Sequence, residues 1–246
     1  MVAVYLIRHG QASFGKADYD QLSDKGSEQS RLLGKYWQSM SAPDKMYAGD
    51  LLRHGQTQEA FLLGLAGEGL KGDCLKGNSA NSIGVILDSG FNELNHVDIL
   101  SCYDSQWKNF AQMCDSIAGQ PQANKLFQQA FVSAVMRWVS GEYDDEYKEN
   151  WSQFKKRCVG ALHNVINQAK STQHSQEVCI FTSGGPIAVI VQAILGLSDQ
   201  KTLMIIQQLR NTGVTKLHFS QDTLSVDYLN NYSHLTLAGA DWVTYR

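Results

Sequence analysis

At 246 residues and 43% hydrophobic content, the chain can bury a substantial core as one large domain or two small ones. A formal charge of −3 gives no basic field for nucleic acid and no acidic tail, so anion recognition requires a local concentration of Arg and His. The longest apolar runs are only a few residues, which excludes a transmembrane helix, and Met1 to Ile7 lack the charged start and cleavage site expected of a signal peptide.

In chain order, Val2-Ala3-Val4-Tyr5-Leu6-Ile7 is apolar throughout rather than alternating, the pattern of a parallel strand covered by helices on both faces. Helical periodicity follows from Ser27 to Met40. A short strand, Lys45 to Ala48, precedes Asp50, which is placed to cap a helix from Leu51 to Leu65. The glycine-rich piece Gly64 to Gly84 reads as a surface loop, and Ile83 to Leu87 as a strand leading into Phe91-Asn92-Glu93. From about Ile99 to Tyr147, Gln, Trp, Phe and Met recur at loosely helical spacing, which predicts a helical insertion with Trp107 and Trp138 in its core. A helix from Lys148 to Lys170 carries Trp151, a third core aromatic. A second buried parallel strand is Val178 to Phe181. Pro186 then opens a helix to Leu195, in a first turn where its missing N–H costs nothing. Strand patterns return at Thr215 to Phe219 and Leu224 to Leu229. This alternation predicts an α/β fold, a three-layer α/β/α sandwich with a mainly parallel central sheet. The expected organisation is a single domain over 1–246 with a helical insertion at 99–147. Five scattered cysteines (Cys74, Cys102, Cys114, Cys158, Cys179) with no Cys-x-x-Cys pair suit reduced thiols and a cytoplasmic location.

In a mostly parallel sheet the strand C-termini open onto one edge, where ligands bind. Four predicted strands end in reactive or anion-binding residues: Arg8-His9-Gly10, Asp50 to Arg53, Glu93, and Ser183-Gly184-Gly185. A phosphate monoester needs cationic forks, an in-line nucleophile and an acid for the leaving oxygen. Arginine offers the planar bidentate contact, and a neutral imidazole can attack phosphorus when a carbonyl holds its other nitrogen. Leu6-Ile7-Arg8-His9-Gly10-Gln11 recurs almost intact as Leu51-Leu52-Arg53-His54-Gly55-Gln56. Only the first copy sits at a strand end; the second falls inside a predicted helix, so His9 is the expected nucleophile. His163, His174, His218 and His234 are expected to be structural or exposed.

Leu6-Ile7-Arg8-His9-Gly10-Gln11-Ala12-Ser13 resembles the signature of the histidine phosphatase superfamily, also called phosphoglycerate mutase-like. Asp20-Gln21-Leu22-Ser23-Asp24-Lys25-Gly26-Ser27-Glu28-Gln29 resembles its continuation. Leu51 to Thr57 is similar to the second arginine motif, with Gly49 where a Ser is common, and Leu229 to Leu235 resembles the last strand. The resemblance implies transfer through a phosphohistidine on His9, with Arg8 and Arg53 clamping the phosphoryl oxygens and Gln11 and Ser13 as further polar contacts. Glu93 falls at the proton donor's position, with Asp98 as its rival. No metal or other cofactor is implied. The implied substrate is a small phosphorylated metabolite or a phosphoprotein; nucleic acid and membrane are not expected partners. One departure stands out: the family's second histidine is replaced by Ser183, in Phe181-Thr182-Ser183-Gly184-Gly185-Pro186. Ser183 and the Gly184 backbone are then the expected phosphate contacts after that strand, with His96 a candidate substitute. The lost charge motivates an alternative, a catalytically weak phospho-ligand binding protein. A phosphoglycerate mutase is less favoured, because the basic substrate-gripping segments of the glycolytic form are not found here.

Overall fold

The computed structural model describes residues 1–13, 20–67, 84–107, 112, 122–172 and 174–245. Its elements, in chain order, are β1 (Val2–Arg8), α1 (Asp24–Trp37), β2 (Lys45–Ala48), α2 (Leu52–Ala66), β3 (Val85–Leu87), α3 (His96–Tyr103), α4 (Ala123–Ser140), α5 (Trp151–Lys170), β4 (Gln176–Thr182), α6 (Gly184–Leu195), α7 (Asp199–Gln208), β5 (Val214–Ser220), β6 (Thr223–Asn231) and α8 (Ser233–Ala238). By contacts they form two compact units: Met1–Glu93 with Cys158–Arg246, and Leu94–Arg157.

The first unit is built on one six-stranded sheet in the order β3-β2-β4-β1-β5-β6. β3, β2, β4 and β1 run parallel, while β5 and β6 add an antiparallel hairpin. The central strands are the apolar runs seen in the sequence, because both of their faces are covered. On one face Tyr5, Ile7, Met46, Ala48, Cys179 and Phe181 pack with Leu33 and Trp37 of α1 and Phe61 of α2. On the other, Val4, Leu6, Tyr47, Val178 and Ile180 are equally buried, and the Tyr47 hydroxyl donates to Gln168 of α5. Helices thus lie on both sides of the sheet, the α/β/α sandwich expected. At the sheet's edge β6 alternates exposed and half-buried residues, as a strand with one covered face does.

Helices α1 and α2 approach unusually closely. A Cβ on Gly34 would fall 2.0 Å from the Phe61 carbonyl oxygen, and one on Gly64 would fall 2.1 Å from that of Arg31. Both glycines are there because backbone meets backbone.

Several boundaries differ from those the pattern predicts. α1 starts a turn before Ser27, because Ser23 is its cap and accepts the Gly26 N–H at 3.0 Å. Asp50 does not cap α2. Leu51 holds the cap position without a side-chain bond, and the Leu52 N–H is met at 2.9 Å by Asp20, from a distant part of the sequence. The Asp50 backbone N–H is instead tied to the Asn92 side chain, at 2.7 Å. α5 begins at Trp151 rather than Lys148. Gly64 to Ala66 complete α2, and most of the predicted loop to Gly84 lies outside the described residues, as do Cys74, Cys114 and much of 108–121.

The second unit includes α3, α4 and the start of α5. Trp138 and Trp151 are buried edge to face at 5.1 Å, and Trp151 stacks on Phe154. Trp107 is half-buried beside Tyr103. Cys102, Cys158 and Cys179 are free thiols. Among the described residues no helix is long and apolar enough to cross a membrane.

Candidate active site

The parallel strands deliver their C-termini to one edge of the sheet, and the ladder continues just past them. The His9 N–H donates to the Thr182 carbonyl at 2.8 Å, that of Gly49 to Phe181 at 3.1 Å, and that of Asp88 to Ala48 at 2.9 Å. The ends of β1, β2, β3 and β4 are therefore neighbours.

His9 is 7% exposed, and its Nδ1 lies 2.7 Å from the Gly10 carbonyl oxygen. A carbonyl only accepts, so Nδ1 carries the proton and the Nε2 lone pair is left for attack. Burial pushes the imidazole's pKa well below the usual histidine range, and Arg53, Arg8 and His54 push it further, against the opposing Gly10 bond. His9 is thus a neutral imidazole at neutral pH. Its own carbonyl accepts from the Thr212 N–H at 3.3 Å and the Asn211 side chain at 3.2 Å, fixing the backbone below the ring.

Arg8 donates from one terminal nitrogen to the Leu209 carbonyl and to that of Tyr245, at 2.8 Å. Its Nε lies beside Gly184, where a Cβ would be 3.8 Å away. Arg53, also 7% exposed, stands in the first turn of α2 and pairs with Asp20 at 2.6 Å. Asp20 therefore joins two tasks, meeting the first N–H of α2 and aligning the guanidinium. Thr57 accepts the Gly10 N–H at 3.1 Å and donates to the Arg53 carbonyl at 2.7 Å, which ties α2 to the loop after β1. Gln11 and Ser13 serve the same loop: the Gln11 amide oxygen accepts from Ser23 at 3.0 Å, and the Ser13 hydroxyl donates to the Leu22 carbonyl at 2.9 Å.

Ser183 takes the N-cap position of α6 in extended backbone, yet makes no side-chain cap bond. The Gly185 N–H at that helix start donates to both carboxylate oxygens of Glu93, at 3.1 and 3.2 Å. The start of a helix offers N–H groups with no partner inside the helix; here one of them meets the carboxyl group of Glu93. Asp98 belongs to the second unit, where its carboxylate accepts the Lys148 N–H at 2.9 Å. His96 opens α3 in that unit.

His54 is the residue that reading the sequence passed over. It lies within α2, as the pattern predicts, but the first turn of that helix faces the strand ends. Its ring is fully buried, with its centroid 5.9 Å from that of His9, and its Nε2 is 2.7 Å from the Ser183 hydroxyl oxygen. Burial lowers its pKa to about 3, with Arg53 adding to the effect and the Gly49 backbone opposing it. The signal available was Gly49. A Cβ there would sit 2.4 Å from His54 Nδ1, so the serine common at that position would collide with this ring. Of the remaining histidines, His234 is buried and bonded to Thr212 at 2.8 Å, while His163 and His174 are exposed and His218 is half-buried. Among the described residues, no group of three or more His, Cys, Asp or Glu side chains is arranged to hold a metal ion.

The geometry can be set beside known proteins. A sequence profile described as the histidine phosphatase superfamily (branch 1) matches residues 4–71 and 118–232. No curated protein matches by sequence. Among solved structures, a phosphoglycerate mutase from Bacillus anthracis superposes with a TM-score of 0.61 at 16% identity, covering 95% of this chain and 94% of that one. A phosphoserine phosphatase mutant from Entamoeba histolytica, in complex with phosphoserine, gives 0.59 at 19% identity over 96% and 100%. The mycobacterial glucosyl-3-phosphoglycerate phosphatase gives 0.59 at 17% identity over 93% and 98%. At these identities the superpositions establish the fold. With the profile matching more than half of its length, the chain belongs to the histidine phosphatase superfamily.

Proposed function

We propose that this protein is a phosphomonoesterase that hydrolyses a phosphate ester through a phosphohistidine on His9, without a metal. The observation that carries the reading is the state of His9: a neutral ring, its proton fixed on Nδ1 by the Gly10 carbonyl, with Arg53 and Arg8 near enough to depress its pKa. A ring charged by protonation could not attack phosphorus; this one can.

In the first step the Nε2 lone pair attacks phosphorus and the bond to the ester oxygen breaks. Arg8 and Arg53 stabilise the charge spreading over the three equatorial oxygens. Ser183 and the Gly184 backbone supply further contacts, and Gln11 keeps the loop below the ring in place. The departing oxygen takes its proton from Glu93, the carboxyl at the start of α6. In the second step water attacks phosphorus as the phosphorus–nitrogen bond breaks, its electron pair returning to His9 Nε2, and the water gives a proton to Glu93. Inorganic phosphate leaves, and neutral His9 returns. The balance is one ester and one water in, one alcohol and one phosphate out. Glu93 is preferred to Asp98 because it shares its helix start with Ser183 and Gly184.

The substrate proposed is a small phosphorylated metabolite or a phosphoprotein, in a reducing compartment such as the cytoplasm, which the free thiols suit. The phosphoserine bound in one structural relative supports this class. Purified protein given a generic aryl phosphate should release phosphate, and His9→Ala should reduce turnover by about three orders of magnitude or more, the scale of losing a nucleophile. A wild-type protein that binds vanadate but releases no phosphate would leave the phospho-ligand binding reading, which the uncharged Ser183 motivates. Transfer of phosphate to a second alcohol, without release, would indicate a mutase.

A further inference from the structure

We propose that His54 is a positioning residue for phosphoryl transfer: through its Nε2 it orients the Ser183 hydroxyl, so that this hydroxyl donates to a phosphoryl oxygen held beside His9. The proposal rests on the phosphatase reading above for its site, and on four observations for its substance.

The contact itself is short, 2.7 Å between His54 Nε2 and Ser183 Oγ, and both residues are fully buried. The Ser183 hydroxyl is not spent on its own helix, since it makes no cap bond at the start of α6 although it occupies the cap position. The pair also stands at the nucleophile: the His54 and His9 ring centroids are 5.9 Å apart, and each ring lies within the influence of Arg53. Finally, the surroundings accommodate this ring specifically. A side chain on Gly49 would strike Nδ1 at 2.4 Å and Cε1 at 2.9 Å. The two positions at which the chain departs from its family's pattern, Gly49 and Ser183, therefore both touch one side chain, His54.

The direction of the hydrogen bond is set by what the Ser183 hydroxyl faces. His54 Nδ1 lies against the Gly49 backbone, which makes no hydrogen bond of good geometry with it yet opposes the fall in the ring's pKa, so both neutral tautomers are open to the ring. Once a phosphoryl oxygen draws the serine hydrogen, the serine oxygen can only accept from His54, and the neutral ring then carries its proton on Nε2 and donates it. The bond that the hydroxyl receives polarises it as a donor. An imidazole on α2 thus lends strength to a hydroxyl on α6, where serine alone would be a weak neutral donor.

The test compares His54→Leu, His54→Gln, Ser183→Ala and the double variant His54→Leu/Ser183→Ala in the full-length protein. Turnover of an aryl phosphate and affinity for orthovanadate are both measured, with thermal melting as the check on folding. Leu fills the space but cannot donate; Gln can place a donor near the position of Nε2. His54→Leu and Ser183→Ala should each lower kcat/KM and vanadate affinity by roughly 10- to 100-fold, as loss of one oriented donor does. The double variant should be no worse than the poorer single one, because one interaction is removed in all three. His54→Gln should recover to within about tenfold of wild type. If His54→Leu does not fold, His54→Asn, too short to reach Ser183, replaces it. Unchanged vanadate affinity in His54→Leu, losses that multiply in the double variant, or Gln no better than Leu would each overturn the proposal. If wild type binds vanadate without turnover, the phosphatase reading fails and the vanadate series alone decides the role of His54. If wild type does neither, both fail.

Discussion

A single hydrogen bond decides what His9 can do. With Nδ1 bound to the Gly10 carbonyl, the ring keeps the lone pair of its other nitrogen, as the proposed nucleophile requires, and burial beside Arg53 and Arg8 keeps it unprotonated. Arg53 is aligned in turn by Asp20, at 2.6 Å. Asp20→Ala should therefore act on the site although Asp20 is assigned no contact with substrate. It removes the partner of Arg53 and leaves the first N–H of α2 unmet, and kcat/KM for an aryl phosphate should fall about tenfold with stability lowered by about 1 kcal/mol. Steady-state kinetics and urea unfolding read the two effects separately, and an Asp20→Asn variant should retain most of the cap. At this scale the sequence was informative where a residue sits at a strand end, as His9 and Ser183 do. It was silent on His54, whose neighbours in space, Ser183 and His9, are far from it in the chain and whose helical setting read as evidence against a role.

Strands and helices differed in how plainly they could be read. β1 and β4 are buried on both faces, so their unbroken apolar runs identified them, and parallel pairing of Ile7 with Phe181 and Arg8 with Thr182 brings the two motifs side by side. Helix starts were harder. The cap of α1 sits one turn before its apolar periodicity begins, and the N–H groups of α2 are met by Asp20, a partner no local pattern can reveal. The α1–α2 contact depends on two glycines that look unremarkable inside helices. Gly34→Ala should destabilise the protein by about 1–3 kcal/mol, since the new methyl group would meet the Phe61 carbonyl and force the helices apart. Helix propensity predicts the opposite sign, about 1 kcal/mol of stabilisation, so the urea midpoint of this one variant separates packing from propensity.

Across the whole molecule, three buried histidines give folding a shared pH dependence. His54 is depressed to about 3 and His234 to about 4, both chiefly by burial, and His9 lies well below its usual value. The unfolded chain protonates these rings near pH 6.5, whereas the folded protein resists until much lower pH. Between pH 6.5 and about 4 the unfolded state therefore binds more protons, and stability falls as pH falls. Each ring contributes at most about 1.4 kcal/mol per pH unit in that window. The urea midpoint should be flat from pH 7 to 8 and decline steeply from pH 6 to 5, with His234→Gln, if folded, showing a shallower decline. A midpoint independent of pH across this range would mean the rings are hydrated and charged. The α/β/α layering was legible from strand–helix alternation, because burial sets the periodicity of every element. What fills the segments over 68–83 and 108–121 was not, since no motif falls there to fix their chemistry.

Trapping the phosphoenzyme tests the central claim most directly. Wild-type protein mixed with excess aryl phosphate is quenched in alkali within milliseconds to seconds, digested, and its peptides are weighed by mass spectrometry. One phosphoryl group should appear on the peptide containing His9, disappear on brief acid treatment, and be absent from His9→Ala. Phosphate that survives acid on the peptide containing Ser183, or turnover that persists in His9→Ala, would contradict the account.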